Sequence, residues 1–122
     1  MMETQSSNFT ERRRSQRADS NLQMKYRNLK MAAAPTGSNT KDISEGGIRF
    51  KASEFISIAC RLVLEITLPT AQRPIKAISK VAWIKKLPSS DQYELGNQFL
   101  EISKEDKAVI NDYVNRLSTP GT

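Results

Sequence analysis

Apolar and polar residues alternate along most of this chain in short runs, which is the pattern of half-buried β-strands. Leu22, Met24 and Tyr26 alternate with polar neighbours and predict the first strand. A later run at residues 75–86 is longer and has apolar residues on both faces near its middle. The strands predicted in this way lie at residues 22–26, 48–50, 62–68, 75–86 and 93–99.

Residues that favour turns separate the predicted strands. Pro35 and Gly37 lie within residues 32–40, which we expect to form a loop. Residues 42–47 contain Asp, Ser and two Gly residues and predict a second turn, and residues 88–92 predict a third. Short strands joined by such turns favour a closed or half-closed antiparallel barrel.

The spacing of the apolar residues changes near the C-terminus to that of an α-helix. Ser103 is followed by two acids in the next three residues, which is typical of an N-cap and a first helical turn. Apolar side chains then share one helical face at Val109, Ile110, Tyr113, Val114 and Leu117. The predicted fold class is therefore mainly β, with a C-terminal helix that covers the barrel. A stripe wider than the barrel face would instead form a dimer seam, so we expect a monomer or a weak dimer.

The length of 122 residues suits a single domain. We place this domain at residues 11–118, with residues 1–10 and 119–122 as flexible termini. No apolar run is long enough to span a bilayer, and the N-terminus lacks an apolar signal segment. We therefore expect a cytoplasmic protein without membrane insertion.

Two residue types limit the chemistry of the chain. It has one cysteine, Cys60, and no histidine, which excludes an internal disulfide and a metal site of the Cys/His type. The commonest general base is also missing. We expect no catalytic residue, no metal ligand and no enzymatic function, and we interpret Cys60 as a small buried hydrophobic residue.

Positive charge is concentrated near the start of the predicted domain. The net charge is +6, and residues 11–30 hold seven basic and two acidic side chains. Arg13 and Arg17 form an Arg-x-x-x-Arg pattern with Arg12 and Arg14 beside it. A guanidinium can grip phosphate, donate to the O6/N7 edge of guanine, or stack on a purine ring. A spacing of four residues puts Arg13 and Arg17 on one side of either a helical turn or a strand.

The turn at residues 42–47 supplies complementary groups in an Asp-x-Ser-x-x-Gly pattern. The Asp42 carboxylate can accept hydrogen bonds from guanine N1–H and N2–H₂. Ser44 can donate to phosphate or accept from a base, or it can serve the backbone of the turn. Gly46 and Gly47 allow a backbone to approach a ligand closely.

Together these segments resemble the PilZ domain, a bacterial receptor module for cyclic di-GMP. The family's two ligand-binding motifs, Arg-x-x-x-Arg and Asp/Asn-x-Ser-x-x-Gly, match at Arg13, Arg17, Asp42, Ser44 and Gly47. The segments KVAWIKK and YELGNQFLEISKEDKAVINDYV resemble the family's later strands and C-terminal helix. The resemblance covers about residues 11–117. It implies a six-stranded antiparallel β-barrel with a C-terminal α-helix and cyclic di-GMP as the ligand.

The resemblance also implies roles for the arginines. Arg13 and Arg17 would hold phosphates and guanine edges while the N-terminal segment folds over the ligand. Asp42 and Ser44 would meet the guanine from the barrel surface. An additional arginine at Arg12 or Arg14 could stack on a second guanine, which favours two intercalated ligand molecules. The implied function is a receptor or adaptor that signals to a downstream effector protein through ligand-induced ordering of the N-terminal segment.

Two other functions fit parts of the sequence. The first is a basic small barrel that binds nucleic acid, which the pI near 9.7 permits. Aromatic residues are only 7% of the chain and form no obvious exposed ladder, which disfavours nucleic acid as a partner. The second is a protein-interaction module that has lost its ligand, and the intact motifs argue against it.

Overall fold

The computed structural model describes residues 18–118. It contains strands with the alternating burial expected of a barrel wall and one helix at the C-terminal end of the described part. The elements are β1 (Ala18–Asp19), β2 (Gln23–Asn28), β3 (Thr36–Ile43), β4 (Gly47–Ala52), β5 (Arg61–Ile66), β6 (Ile75–Lys86), β7 (Tyr93–Ile102) and α1 (Lys104–Ser118).

Strands β2 to β7 form a closed ring in which every strand pairs antiparallel with its neighbours. The order around the ring is β3, β2, β5, β6, β7, β4, and a β3–β4 pairing closes it. Strand β1 adds a short pairing to β3 beside β2. Closure removes free sheet edges from this part of the chain, so the predicted six-stranded barrel with its C-terminal helix is confirmed.

The core lies inside this ring, where the apolar residues of the alternating runs meet. Tyr26 from β2 packs on Phe50 from β4, with ring centroids 5.2 Å apart. Helix α1 contributes Ile110, Tyr113 and Val114 to the core. Leu117, predicted on the same helical face, is 52% exposed because it lies in the last turn of the helix, beyond the buried part of the stripe.

The helix begins as its N-cap sequence predicts. Ser103 Oγ accepts a hydrogen bond from the backbone N–H of Asp106, at 3.0 Å. The buried Asp106 carboxylate accepts from the Lys76 backbone N–H at 3.3 Å and pairs with Arg73 Nη2 at 3.3 Å. These contacts tie the start of α1 to the start of β6.

The prediction of a loop at residues 32–40 was wrong for residues 36–40. Strand β3 begins at Thr36, so Thr36 to Thr40 are strand residues, and Asp42 and Ile43 end this strand rather than begin a turn. Turn-favouring residues occupy a strand here because β2 pairs with Thr36 to Asn39 and β4 pairs with the chain from Thr40 onward. Cys60 is half-buried against the core and accepts a hydrogen bond from Asn28 Nδ2 at 3.2 Å.

Candidate ligand-binding site

The β3–β4 hairpin is closed by the side chain of Ser44. Its Oγ accepts from the backbone N–H groups of Gly46 and Gly47, each at 3.2 Å, and its own N–H donates to the Gly47 carbonyl at 2.9 Å. Ser44 is 1% exposed. The sequence leaves two roles open for Ser44, and the structure shows the second of them: its side chain forms hydrogen bonds with the backbone of the turn.

Strand β7 packs directly against this turn. A Cβ added at Gly47 would collide with the carbonyl oxygen of Asn97, and the Gly46 carbonyl accepts from the Phe99 N–H at 3.0 Å. There is therefore no space for a side chain at position 47. The glycine allows the backbone of the turn to lie close to the backbone of β7.

Asp42 lies at the end of β3, directly opposite Arg49 on β4. Only 3% of Asp42 is exposed. Arg49 Nε donates to Asp42 Oδ2 at 2.7 Å, and Arg49 Nη2 donates to the same oxygen. The predicted guanine acceptor is thus held by a two-donor ion pair across the hairpin.

A second buried carboxylate, Glu94 on β7, lies in the same surface. Lys41 Nζ is 3.4 Å, Lys85 Nζ 3.7 Å and Arg49 Nη1 3.9 Å from its carboxylate oxygens. The three cations keep their side chains partly exposed, whereas Glu94 is buried. A face in which carboxylates lie inside and cations outside favours an anionic ligand.

One row of register partners crosses this face. Asp42 is opposite Arg49, Arg49 opposite Gly96, and Gly96 opposite Trp83. A Cβ at Gly96 would collide with the indole of Trp83, so the ring lies over the glycine. Trp83 is 39% exposed and covers the barrel surface.

Strand β1 joins the hairpin from its other side. Ala18 pairs with Ile43 and Asp19 with Asp42, while further along Gln23 pairs with Asn39. The segment between β1 and β2 thus has one residue more than β3 between these pairs, an irregularity like that of a β-bulge. The Thr40 hydroxyl fills it by accepting from the Leu22 N–H at 2.9 Å and donating to the Ser20 carbonyl.

The structure brings together four of the predicted site residues, Asp42, Ser44, Gly46 and Gly47. Arg12, Arg13, Arg14 and Arg17 lie outside the described residues, as do the predicted flexible termini at 1–10 and 119–122. Sequence reasoning missed Arg49 and Glu94. A two-residue turn at Glu45 and Gly46 would have indicated Arg49, because such a turn pairs Asp42 with Arg49.

A model of the PilZ domain matches residues 11–116 of the chain. The chain belongs to the PilZ family. A search of curated proteins gave no match.

Three solved structures illustrate what this PilZ domain is similar to. The Bacillus subtilis inhibitor of motility MotI/DgrA has a TM-score of 0.73 and 25% identity, covering 86% of this chain and 50% of that chain. The Escherichia coli YcgR PilZ domain with c-di-GMP has a TM-score of 0.64 and 15% identity, covering 87% of this chain and 91% of that chain. The K. pneumonia MrkH–c-di-GMP complex has a TM-score of 0.59 and 22% identity, covering 83% of this chain and 50% of that chain. The chain thus spans about half the length of the MotI and MrkH chains.

A polar cleft adjoins the hairpin of this PilZ domain. It has a volume of about 880 Å³, and its lining includes Thr40 and Lys41, the two residues before Asp42. Its other walls come mainly from hydroxyl and amide side chains, including those of Ser20, Asn21, Ser38, Asn39 and Gln92. Such walls offer hydrogen bonds to sugar, base or phosphate groups, and the volume is in the range of small-molecule sites.

A buried hydrogen bond connects the strand beside the hairpin with the C-terminal helix. Ser20 Oγ and the Tyr113 hydroxyl lie 2.6 Å apart. Ser20 directly follows β1, and Tyr113 lies in α1. In this PilZ domain a hydrogen bond therefore connects the end of β1, which pairs with the hairpin, to helix α1, which packs on the core.

Within residues 18–118, no group of three or more His, Cys, Asp or Glu side chains could hold a metal ion. In the same part of the chain, no helix combines the length and the apolar character needed to cross a membrane.

Proposed function

We propose that this protein is a non-enzymatic receptor for cyclic di-GMP, which it binds with its N-terminal arginines and the β3–β4 hairpin. Arg13 and Arg17 grip phosphates and guanine edges, and Asp42 accepts from a guanine base. Ser44, Gly46 and Gly47 keep the hairpin in the shape that presents Asp42. The YcgR and MrkH structures, which contain c-di-GMP on this fold, support the choice of ligand.

The observation that carries this proposal is the pairing of β1 with the end of β3. Ala18 is opposite Ile43 and Asp19 opposite Asp42, so the described part of the chain begins beside the hairpin, directly after Arg17 in the sequence. Arg13 is four residues earlier, at most about 14 Å away along the chain. The length of the intervening chain therefore allows both guanidinium groups to reach a ligand held by Asp42.

The charge and the space around Asp42 also support an anionic dinucleotide. Lys41, Arg49 and Lys85 surround two buried carboxylates and expose their cationic groups on this face. The polar cleft beside Lys41 offers room for the part of the ligand that Asp42 does not contact. Arg12 and Arg14 are the residues that would stack on a second, intercalated ligand molecule.

Signalling follows from ordering of residues 11–18 on the ligand. The bulge filled by Thr40 and the Ser20–Tyr113 hydrogen bond join this segment to helix α1. A change in the arginine segment would therefore reach a surface that a downstream effector protein can contact. We expect backbone amides of residues 11–20 to exchange with solvent more slowly when cyclic di-GMP is bound.

Titration calorimetry with cyclic di-GMP tests the proposal, with GTP and cyclic GMP as ligand controls. We expect Arg13→Ala or Arg17→Ala to weaken binding by tenfold or more, because a charge-assisted hydrogen bond contributes about 1.5–3 kcal/mol. Arg116→Ala is the matched control, since it removes the same charge from an exposed helical position that pairs with Asp112. It should bind like the wild type.

Two results would contradict the proposal. Binding of cyclic di-GMP that survives both arginine substitutions would remove these arginines from the site. Failure to bind cyclic di-GMP, together with tight binding of single-stranded oligonucleotides that weakens steeply with salt, would indicate a nucleic-acid-binding barrel instead.

A further inference from the structure

Arg49 lies between two buried carboxylates that belong to different strands. Its Nε and Nη2 groups donate to Asp42 Oδ2 on β3, and its Nη1 is 3.9 Å from Glu94 Oε1 on β7. We propose that Arg49 is a positioning residue for base recognition, which holds the Asp42 carboxylate in the orientation that reads guanine, with Glu94 anchoring Arg49. This inference rests on the proposed function, because it concerns a guanine at Asp42.

The contact with Arg49 restricts the rotation of the Asp42 carboxylate. The terminal torsion of an aspartate is broad and two-fold, so the backbone alone does not define the plane of its carboxylate. Two donors from one planar guanidinium converge on Oδ2, and this rigid fork defines the plane. The Asp42 backbone is itself fixed by strand pairing with Asp19 on one side and with Arg49 on the other.

Arg49 is in turn anchored from the barrel side. Its side chain is 33% exposed, while the Glu94 carboxylate beside it is buried. Glu94 also pairs with Lys41 from β3 and Lys85 from β6. A buried carboxylate requires a charged partner. The two carboxylates of Asp42 and Glu94 therefore favour one position of the Arg49 guanidinium, between them.

Recognition of guanine depends on this orientation. Guanine offers two parallel donors, N1–H and N2–H₂, whereas hypoxanthine lacks the N2 amino group. A carboxylate has about four acceptor positions, so one that binds Arg49 can also accept from a base in its plane. A carboxylate that rotates away loses the second bond first, and with it the preference for guanine.

The measurement that isolates orientation is the ratio of the dissociation constants for cyclic di-IMP and cyclic di-GMP. The two ligands carry the same phosphates, so a lost positive charge weakens both alike and leaves this ratio unchanged. We expect the wild type to prefer cyclic di-GMP by about tenfold or more. For Arg49→Gln we expect the preference to fall to within about threefold.

Lys80→Gln is the matched control. Lys80 is opposite Gln98, which is opposite Gly47, so its loss removes one positive charge near the same hairpin without touching Asp42. Its preference for cyclic di-GMP should equal that of the wild type. Glu94→Gln keeps Arg49 but weakens its anchor, and its preference should lie between those of the wild type and Arg49→Gln.

Circular dichroism establishes that each variant folds. If Arg49→Gln does not fold, Arg49→Lys decides, because lysine keeps the charge but lacks the planar two-donor fork. A reduced preference supports the inference, and a wild-type preference in the folded Arg49 variant overturns it. A wild type that binds neither ligand overturns the proposed function itself, which is a different result.

Discussion

Two hairpin turns in this barrel use the same local chemistry in different surroundings. In the β3–β4 turn, Ser44 Oγ accepts from the Gly46 N–H two residues later, at 3.2 Å. In the β6–β7 turn, Ser90 Oγ accepts from the Gln92 N–H two residues later, at 2.9 Å. In the first turn Ser44 and Gly47 are buried against β7, whereas the residues of the second turn are half-buried or exposed.

The difference shows that the neighbouring strand, and not the turn sequence alone, fixes the shape of a turn. The β3–β4 turn is held by Phe99 and Asn97 of β7, so its shape is fixed and Asp42 lies opposite Arg49. The β6–β7 turn is closed by its own backbone bond from the Leu87 N–H to the Gln92 carbonyl and by the Ser90 side chain. Substitutions in the two turns should therefore have unequal effects.

The largest effect on stability should come from Gly47→Ala. The new Cβ would collide with the Asn97 carbonyl, and a strand backbone on each side limits relaxation. Overpacking of this kind costs about 1–3 kcal/mol, which lowers Tm by about 10 °C in a domain of this size. Thermal unfolding followed by circular dichroism measures the change.

Gly37→Ala is the matched glycine control. A Cβ at Gly37 would meet no heavy atom within 4 Å, so Tm should stay within about 2 °C of the wild type. Equal losses in both variants would show that the packing of β7 on the turn does not restrict Gly47.

A smaller effect is expected for Ser44→Ala, compared directly with Ser90→Ala. Loss of the Ser44 hydroxyl removes the acceptor of the buried Gly47 N–H and of the part-buried Gly46 N–H, which costs about 0.5–1.5 kcal/mol. The corresponding N–H of Gln92 can bond to water, so Ser90→Ala should cost less than about 0.5 kcal/mol. Urea unfolding gives both values, and a similar cost for the two serines would contradict the comparison.

The smallest effect on stability is expected from the titration of Tyr26, which lies in the core. Burial and, second, the negative charge of Glu54 raise the pKa of Tyr26. Above about pH 10, the unfolded chain loses this proton before the folded protein does. The contribution of Tyr26 to the free energy of unfolding is therefore complete below that pH and falls as the pH rises toward the folded pKa.

An absorbance titration of tyrosinate tests this expectation. Tyr26→Phe should remove a component that titrates at higher pH than an ordinary tyrosine, and should also reduce the fall in stability at alkaline pH. Loss of a component near pH 10 instead would show that the ring of Tyr26, packed on Phe50, is not shielded from solvent.

Much of the fold could be predicted where local signals agree. The run at residues 75–86 became β6 with the same bounds, and Ser103 caps the helix as its sequence indicates. The prediction failed at the start of β3, where Thr36 to Thr40 look like a loop. Their strand conformation depends on partners in β2 and β4, which are invisible to a local pattern.

The site divides in the same way. The acceptor, the turn and the two arginine positions of the proposed site can be predicted from the chain, because carboxylates, hydroxyls and guanidinium groups have fixed chemistry. The Arg49 contact is local in principle, since a two-residue turn determines which residue faces Asp42.

The alternation of apolar residues and the chemistry of the motifs are properties of neighbouring residues, so they follow from the order of amino acids alone. The burial of Ser44, the need for glycine at position 47 and the anchoring of Arg49 by Glu94 join residues about fifty positions apart. They exist only because β4 pairs with both β3 and β7 when the barrel closes. Closure is a long-range event, and no local pattern encodes which backbone will lie against a given turn.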